Sequence, residues 1–303
     1  MNIQAMLLAA GFGTRLRPYS LIRPKPLFPV CNHPLLEIIL RQLRQAGCRR
    51  VVVNCHHLAG QIGRAVAGMP EVLLQREEEI LGTGGSLRQA LPGFTDRPVL
   101  VVNGDILHTV DLAALYRHHC RSGNLVTLAM HHLPRFNTVA VAGDRVLGFR
   151  DHGADRLLAF TGIHVVEPAV LEQIPAGRFF HIIDLYGQLA LRGRVGLMRV
   201  DGAFWHDIGT PEDYLEVHRR ILVDRHGPAW LHPEQGAWCI HPSAEIGTGV
   251  RLRGWGAIGA GCRVGAGAIL EDCVVWSGTT VDAGKQRRLA ILSGRDDRDR
   301  QSS

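Results

Sequence analysis

The chain has 303 residues, and 46% of them are hydrophobic, which suits one large domain followed by a smaller one. Its net charge of +6 with histidine neutral fits anionic small molecules as well as nucleic acid and does not choose between them. Seven cysteines without a CxxC pair argue against a disulfide framework or a zinc site and indicate a reducing compartment.

The first ten residues have no basic start and form too short an apolar run to span a bilayer. No other segment reaches that length, so the sequence predicts a soluble cytoplasmic protein. Ile3 to Ala9 is a continuous apolar run stopped by glycine, as in a strand that is buried on both faces. An apolar stripe over residues 34–46, followed by Gly47, predicts a helix and its C-terminal end.

Strands and helices continue to alternate along the first part of the chain. Further strands are predicted at residues 50–55, 71–75, 98–102 and 125–130, with helices around residues 58–66 and 112–116. This alternation predicts an α/β fold with a Rossmann-like, mostly parallel sheet and helices on both faces.

The region after residue 138 is richer in β-forming residues. A hairpin and a long strand are predicted over residues 138–166, and helices near residues 168–174 and 181–192. Thr210 followed by Pro211 and two acidic residues predicts the start of one more helix, because such residues satisfy and complement a helix N-terminus. The first domain is predicted to span residues 1–225.

After residue 226, glycine, alanine and valine replace charged helix formers, and an aliphatic residue recurs at every sixth position. The repeating positions are Ile240, Ile246, Leu252, Ile258, Val264 and Leu270. This period predicts a linker over residues 226–239 and a short left-handed parallel β-helix of hexapeptide repeats over residues 240–285. About two coils fit, too few to be stable alone. The stack must therefore lean on the first domain or on other subunits, and a homo-oligomer through the β-helix is one expected outcome.

Residues 286–303 are predicted to form a C-terminal tail. Its end, from Gly294, is charged and lacks aliphatic residues, so we expect it to be disordered.

The loop after the first strand carries the strongest chemical signal. Gly11 and Gly13 allow a sharp turn that can bring backbone N–H groups close to an anion. Two glycines alone indicate only a turn. Arg15 and Lys25 add two cations, one of them on a proline-stiffened segment. Neither GxGxxG opening a helix nor GxxxxGK[ST] is present, which disfavours an oxidoreductase and a P-loop ATPase. The sequence therefore predicts a phosphate-binding loop of another kind.

Residues 11–16 (GFGTRL) and 24–27 (PKPL) together resemble the signature of the sugar-1-phosphate nucleotidyltransferases that make NDP-sugars. The resemblance covers residues 2 to about 225, and hexapeptide repeats often follow in this superfamily. The chain is most similar to the mannose-1-phosphate guanylyltransferase and N-acetylmuramate-1-phosphate uridylyltransferase branches. The resemblance implies an enzyme that joins a nucleoside triphosphate (NTP) to a sugar 1-phosphate and releases pyrophosphate, with neither nucleic acid nor membrane as a partner.

The resemblance also implies a magnesium site and a set of catalytic residues. Asp105 and Asp207 match the family's two metal-binding aspartates, and two carboxylates with phosphate oxygens and water suit Mg²⁺. Each aspartate alone also fits an ordinary strand end or helix start. Arg15, Lys25 and Asp105 are the predicted catalytic residues. Arg15 would stabilise charge on pyrophosphate and Lys25 would hold the α-phosphate. The sugar phosphate is already a nucleophile at neutral pH, so no protein nucleophile is required.

Nucleotide and sugar contacts follow from the same resemblance. The predicted nucleotide-binding residues are Ala9, Gly11, Gly13, Thr14, Arg15, Gln75, Gly82 and Thr83. The predicted sugar-binding residues are Thr161, Gly162 and Glu37. Many relatives hold the sugar phosphate with a lysine in Glu-Lys-Pro, whereas the matching stretch here contains Arg150. Arg150 is a candidate substitute, and the departure weakens any inference about which sugar is used.

Several functions stay open at this point. Residues 135–139 (RFNTV) resemble the guanylyl branch slightly more and favour GDP-mannose or GDP-heptose formation. The alternatives are a uridylyltransferase acting on N-acetylmuramate or N-acetylhexosamine 1-phosphate, and a non-catalytic subunit that senses nucleotide-sugars. An acyltransferase is disfavoured because such enzymes need more coils and a catalytic histidine between subunits.

Overall fold

The computed structural model describes residues 3–149 and 156–294 of the chain. Seven α-helices lie in these residues: α1 Leu35–Gln45, α2 Ala59–Ala65, α3 Gly82–Ala90, α4 Leu112–Ser122, α5 Pro168–Leu171, α6 Ile182–Leu191 and α7 Pro211–Leu222. The strands up to α7 are β1 Ile3–Leu8, β2 Pro29–Val30, β3 His33–Pro34, β4 Cys48–Cys55, β5 Val72–Arg76, β6 Val99–Asn103, β7 Ile106–His108, β8 Val126–His131, β9 Val139–Ala142, β10 Arg145–Gly148, β11 Leu157–Val166, β12 Val195–Arg199 and β13 Trp205–Asp207. The strands after α7 are β14 Trp238–Ile240, β15 Glu245–Ile246, β16 Arg251–Ile258, β17 Arg263–Val264, β18 Ile269–Val275, β19 Thr280–Val281 and β20 Gln286–Leu292.

The main sheet of the described residues has nine strands in the order β5-β4-β1-β6-β11-β8-β12-β10-β9. Strands β5, β4, β1 and β6 are parallel neighbours, and so are β8 and β12. Strand β11 is antiparallel to both β6 and β8, and β9 and β10 form an antiparallel pair at the edge. The sheet is therefore mixed, and the prediction of a mostly parallel sheet is wrong for its second half. Strand β11 follows a hairpin, so no crossover helix imposes a parallel direction.

Helices cover both faces of this sheet, as predicted. On one face Ile3, Ala5 and Leu7 of β1 pack in a core with residues of α1, α2, α4 and α7. On the other face Met6 packs in a second core with residues of α3, α5 and α6. Because successive side chains of a strand point to opposite faces, β1 is buried on both sides and reads as a continuous apolar run.

Helix α7 begins as the sequence predicts. The Thr210 side chain accepts a hydrogen bond from the Asp213 backbone N–H at 3.1 Å, and Pro211 occupies the first turn. This cap fixes where the chain turns from β13 into the helix. None of the described helices is both long and apolar enough to cross a membrane.

The strands after α7 form two parallel sheets, β14-β16-β18-β20 and β15-β17-β19. Trp238 pairs with Gly256 and Glu245 with Arg263, each eighteen residues on, which is three hexapeptides. Of the repeating aliphatic residues, Ile258, Val264 and Leu270 are buried, while Ile240 and Ile246 are 42% and 40% exposed. The first repeats therefore form an open end of the stack in the described part of the chain.

Two predicted boundaries of this region are corrected. Strand β14 begins at Trp238, inside the predicted linker, and β20 runs from Gln286 to Leu292 where a tail was predicted. The aliphatic period ends at Leu270, but pairing with β18 continues the sheet, and Ile291 and Leu292 are buried. Residues 295–303, at the end of the predicted tail, lie outside the described residues.

The C-terminal strands pack on the first domain through α7. Trp255, Val274, Trp276 and Ile291 belong to the same hydrophobic core as α1 and α7. The expectation that so short a stack must rest on a neighbour is met by this shared core.

Candidate active site

A cavity of about 370 Å³ lies at the carboxyl ends of β1 and β6. Ligands of α/β proteins bind at this edge of the sheet. Among the residues that line it are these predicted ones: Ala9, Gly11, Gly13, Thr14, Arg15, Lys25, Gly82, Thr83 and Asp105. The structure thus brings most of the predicted phosphate, nucleotide and catalytic residues to one cavity.

The glycine loop is held in place at its start and is open at its tip. The Ala9 backbone N–H donates to Asn54 Oδ1 at 2.7 Å. Gly13 has a φ of 60°, and a Cβ there would lie 3.3 Å from the Cβ of Ser20, so this position favours glycine. A Cβ at Gly11 would meet no atom within 4 Å. The space above Gly11 is therefore free for a ligand.

Lys25 lies close to two carboxylates, those of Asp105 and Asp207. Its Nζ lies 2.8 Å from Asp105 Oδ2 and 4.0 Å from Asp207 Oδ1. The Lys25 side chain is 10% exposed, and those of Asp105 and Asp207 are 37% and 19% exposed. Lys25 and Asp105 line the cavity, whereas Asp207 lies beside Lys25 and is not among the lining residues. All three charges are partly shielded from water, which strengthens their interactions.

Two elements bring the aspartates together. Strands β7 and β13 pair antiparallel so that Asp207 lies opposite Ile106, and the Ile208 N–H donates to Asp105 O at 2.9 Å. Gly104 lets the chain turn beside β1, since a Cβ there would lie 2.7 Å from the Leu8 carbonyl oxygen. Residues more than a hundred positions apart therefore meet through main-chain contacts.

The charges of this cluster are two acids, Asp105 and Asp207, and two bases, Lys25 and Arg15. Burial raises the pKa of the Asp207 carboxyl, with a further contribution from Asp105, while Lys25 and Arg15 act in the opposite direction. Arg15 lies close by, because a Cβ on Gly209 would come within 2.5 Å of Asp207 Oδ2 and 3.1 Å of an Arg15 guanidinium nitrogen. Two acids with oxygen donors fit a divalent cation, and two bases fit phosphate oxygens.

The structure adds Glu77, which sequence reasoning missed. Glu77 is 6% exposed and lines the cavity. Its Oε1 accepts from Asn54 Nδ2 at 2.7 Å, and its Oε2 accepts from the Leu81 backbone N–H at 3.3 Å. Its sequence neighbours Glu78 and Glu79 are exposed, so an acidic run of this kind resembles a solvated loop. The only available sequence signal was its position just before the glycine-rich start of α3.

Gln75 does not line the cavity, contrary to its predicted contact with the base. Its amide Nε2 donates to the Ser86 backbone oxygen at 3.0 Å and lies 3.4 Å from Glu77 Oε1. Gln75 lies inside β5 and supports α3 and Glu77 through these contacts. Glu77 follows the end of β5 and lines the cavity.

The predicted sugar-binding residues lie in two places, with Thr161 and Gly162 in β11 and Glu37 in α1. Gly162 has a φ of 76°, and a Cβ there would lie 2.6 Å from Nδ2 of Asn103, which lines the cavity. Thr161 is buried, and its hydroxyl donates to the Ala129 carbonyl oxygen at 2.8 Å. Gly162 thus leaves room for the Asn103 amide, and neither Gly162 nor Thr161 lines the cavity itself.

Glu37 is not brought to the site. It lies in the first turn of α1 and lines a separate pocket of about 160 Å³ with Leu27, Pro34 and Met69. Its side chain is exposed and does not line the cavity that contains Lys25 and Asp105, so its predicted contact with the sugar stays a prediction. Arg150 lies outside the described residues.

Comparison with known proteins identifies the family. The sequence pattern described as "Nucleotidyl transferase" matches residues 4–223. The chain belongs to the nucleotidyl transferase family. A mannose-1-phosphate guanylyltransferase of Mycobacterium tuberculosis is 30% identical over 297 residues, which cover 93% of this chain and 82% of that protein. A UTP–glucose-1-phosphate uridylyltransferase of Synechocystis is 28% identical, covering 97% of this chain and 88% of that protein.

The solved structures agree on the fold of this nucleotidyl transferase. A structure described as a "Putative Glucose-1-Phosphate Thymidylyltransferase from Bacillus anthracis" is similar with a TM-score of 0.66 at 16% identity, covering 76% of this chain and all of that one. The predicted enzyme class, a sugar-1-phosphate nucleotidyltransferase that forms an NDP-sugar from an NTP and a sugar 1-phosphate, is confirmed.

Proposed function

We propose that the chain is a guanylyltransferase that transfers GMP from GTP to mannose 1-phosphate or a similar hexose or heptose 1-phosphate. The observation that carries the choice of base is the Glu77 carboxylate in the cavity. The Mycobacterium tuberculosis relative, named for mannose 1-phosphate and guanylyl transfer, supports the same choice. The second candidate is a UTP-dependent enzyme, which the Synechocystis relative favours.

The hydrogen-bonding pattern of the base explains why a carboxylate favours guanine. A carboxylate only accepts hydrogen bonds, and guanine offers two adjacent donors, N1–H and the 2-amino group. Uracil and thymine offer a single N3–H between two carbonyl oxygens, which a carboxylate would repel. Asn54 donates to Glu77 Oε1 at 2.7 Å and holds the carboxylate in place, whereas the contacts that Glu77 receives from Leu81 and Gln75 are 3.3 and 3.4 Å long. Contacts of that length are weak enough to yield to a base.

The phosphate end of the cavity supplies charge and alignment. The dianionic sugar phosphate would attack the α-phosphorus in line, forming the new P–O bond as the bond to pyrophosphate breaks. Lys25 would hold the α-phosphate, and Arg15 would bind the oxygens that become pyrophosphate. Asp105 and Asp207 fit Mg²⁺, which when bound would neutralise phosphate charge at this place.

We further propose that strands β14 to β20 form a short left-handed β-helix. Partner residues seventeen or eighteen positions apart, as in Arg263 with Thr280 and Glu245 with Arg263, correspond to three hexapeptides per coil. Glycines with positive φ recur between the strands, at Gly249, Gly267 and Gly284, as corners of such a coil require.

A screen of pyrophosphate release tests the proposed function. GTP, UTP, dTTP, CTP and ATP would each be combined with a panel of sugar 1-phosphates. GTP with mannose 1-phosphate should give the highest kcat/KM, and faster release with UTP would overturn the guanylyl choice. Silence across the panel, together with tight binding of a nucleotide-sugar, would indicate the non-catalytic sensor.

The variant Glu77→Gln tests the observation itself. Glutamine replaces one of the two acceptor oxygens by an NH2 donor group, so it should lower kcat/KM for GTP by about 5- to 150-fold, the loss expected for about 1–3 kcal/mol of base recognition. The ratio of UTP to GTP turnover should rise. Glu79→Gln, at an exposed position of the same acidic run, is the matched control and should leave both values unchanged.

A further inference from the structure

Trp276, the residue after β18, contacts two elements of the first domain at once. It is 2% exposed. Its indole N–H donates to Tyr214 Oη at 3.1 Å, and the Phe28 ring meets it edge-to-face at 4.8 Å between centroids. The Arg23 guanidinium lies 4.6 Å from the centroid of its ring. One side chain of the C-terminal strands is thereby surrounded by aromatic and cationic partners of the other domain.

These partners lie next to the charged residues of the cavity. Arg23 and Phe28 flank Lys25 in the sequence, and Lys25 itself is buried. Tyr214 belongs to the first turns of α7, which begins four residues after Asp207. Trp276 therefore touches both the segment that carries Lys25 and the helix that follows Asp207.

A second contact joins the same two elements directly. Tyr214 Oη donates to the Pro29 carbonyl oxygen, so the Tyr214 hydroxyl accepts from Trp276 and donates to the Lys25 segment. Tyr214 and Phe28 are fully buried, and their rings pack edge-to-face at 5.5 Å. A fully satisfied polar network in a buried setting defines one arrangement of its members.

We propose that Trp276 is a positioning residue of the active site, which holds the Lys25 segment and helix α7 in register and so sets the distances from Lys25 to Asp105 and Asp207. This inference rests on the proposed nucleotidyl transfer at that site. The C-terminal strands thus support the position of the Lys25 ammonium group, besides any role in self-association. Displacements of about 1 Å at a reacting centre can reduce turnover by up to about 100-fold, so a support of this kind acts on kcat.

The test compares two matched substitutions in the C-terminal strands. Trp276→Phe keeps an aromatic ring and removes the N–H that Tyr214 accepts. Trp238→Phe makes the same chemical change in β14, where the indole nitrogen has no hydrogen-bond partner among the described residues. Trp276→Phe should lower kcat for pyrophosphate release about tenfold with the KM for nucleotide within about twofold, whereas Trp238→Phe should leave both constants at the wild-type value.

Hydrogen exchange gives a readout that does not depend on turnover. Amides of residues 23–30 and 208–216 should exchange faster in Trp276→Phe than in wild type, and no faster in Trp238→Phe, at a temperature well below both Tm values. Wild-type kcat in Trp276→Phe, or unchanged exchange in residues 23–30, would overturn the positioning role. So would equal losses of kcat in the two variants, which indicate general destabilisation.

The same design separates this inference from the proposed function. Turnover is measured with whichever nucleoside triphosphate the wild-type chain uses, so a wrong base does not affect it. If the wild-type chain turns over none, the proposed function fails while the exchange comparison still decides whether Trp276 holds the Lys25 segment. Trp276→Leu, which also removes the ring beneath Arg23, should increase exchange in residues 23–30 beyond the effect of Trp276→Phe, and a smaller effect would contradict the proposal.

Discussion

The C-terminal strands are formed by residues that lie close together in the sequence, whereas the active-site cavity is formed by residues that are far apart in the sequence. In the strands, residues pair with partners seventeen or eighteen positions away, so a local pattern repeats. In the cavity, Lys25, Asp105 and Asp207 come from three distant parts of the chain and meet within 4.0 Å of one ammonium group. Pairing in the strands therefore depends on neighbouring repeats, whereas the cavity depends on how whole elements are placed.

The sharpest way to test the cavity side of this comparison is Asp105→Asn. The substitution keeps the size of the side chain and removes one of the two carboxylates beside Lys25. We expect kcat to fall by about a thousandfold, which corresponds to about 4 kcal/mol of activation free energy. The proposed Mg²⁺, which would neutralise phosphate charge, loses one of its two carboxylates in this variant. Pyrophosphate release measures kcat, and thermal unfolding checks that the fold persists.

The matched control for that variant is Asp144→Asn. Its side chain is 81% exposed and lies 3.8 Å from the neighbouring Arg145, and Asp144 is not among the residues that line the cavity. Turnover should stay at the wild-type value. Wild-type-like turnover in Asp105→Asn would remove Asp105 from the catalytic residues.

The same contrast governs what could be predicted from sequence. The six-residue period identified the C-terminal strands, but it ended at Leu270 and so missed β20, which is held by main-chain pairing with β18. The phosphate loop was predicted because Gly11, Gly13, Arg15 and Lys25 form a compact motif. Hydrophobic periodicity and motifs report local geometry.

Glu77 and Trp276 escaped prediction for a different reason. The role of Glu77 depends on Asn54, from a neighbouring strand, which turns its carboxylate inward. The role of Trp276 depends on Tyr214, 62 positions earlier in the chain. No local pattern encodes such pairings, and the direction of β11 was likewise set by tertiary pairing with β6 and β8.

The boundary between the two regions can be tested through pH, because His218 of α7 packs there. Its ring stacks on Trp255 of the C-terminal strands, with centroids 6.4 Å apart. Its Nδ1–H donates to the Tyr214 carbonyl oxygen at 2.9 Å, and its Nε2 accepts from the Cys31 N–H at 3.2 Å. Burial lowers the pKa of His218 from 6.5 to about 4, so the folded chain keeps this ring neutral.

Acid should therefore weaken the fold through His218. Below pH 6.5 the unfolded chain binds a proton at His218 that the folded chain does not. The stability that comes from the neutral ring is complete above pH 6.5, and the free energy of unfolding therefore decreases as the pH falls towards about 4. At pH 5 the loss should be about 2 kcal/mol relative to pH 7.5. Urea unfolding of wild type and His218→Gln at both pH values measures it.

The difference in the free energy of unfolding between wild type and His218→Gln separates the effect of His218 from that of the other buried histidines. His218→Gln should be less stable than wild type at pH 7.5, and the gap should narrow by about 2 kcal/mol at pH 5. His181→Gln, at an exposed position, should follow the wild-type pH dependence. A gap that stays constant between the two pH values would mean that His218 does not couple the boundary to pH.

The smallest expected effect on stability lies at the open end of the C-terminal strands. Ile246 belongs to the repeating aliphatic positions, yet its side chain is 40% exposed, and among the described strands β15 pairs only with β17. An unpaired edge with apolar side chains is a surface on which a second copy of the chain can stack.

Ile246→Asp should abolish the predicted self-association at micromolar concentration and change the free energy of unfolding of the single chain by less than about 0.5 kcal/mol. Light scattering after size-exclusion chromatography gives the mass of each species. Leu289→Asp, in β20 at the opposite edge and 63% exposed, should leave the oligomer intact. A wild-type chain that is monomeric at every concentration, or an oligomer that survives Ile246→Asp and dissociates with Leu289→Asp, would show that the open first repeats are not the contact.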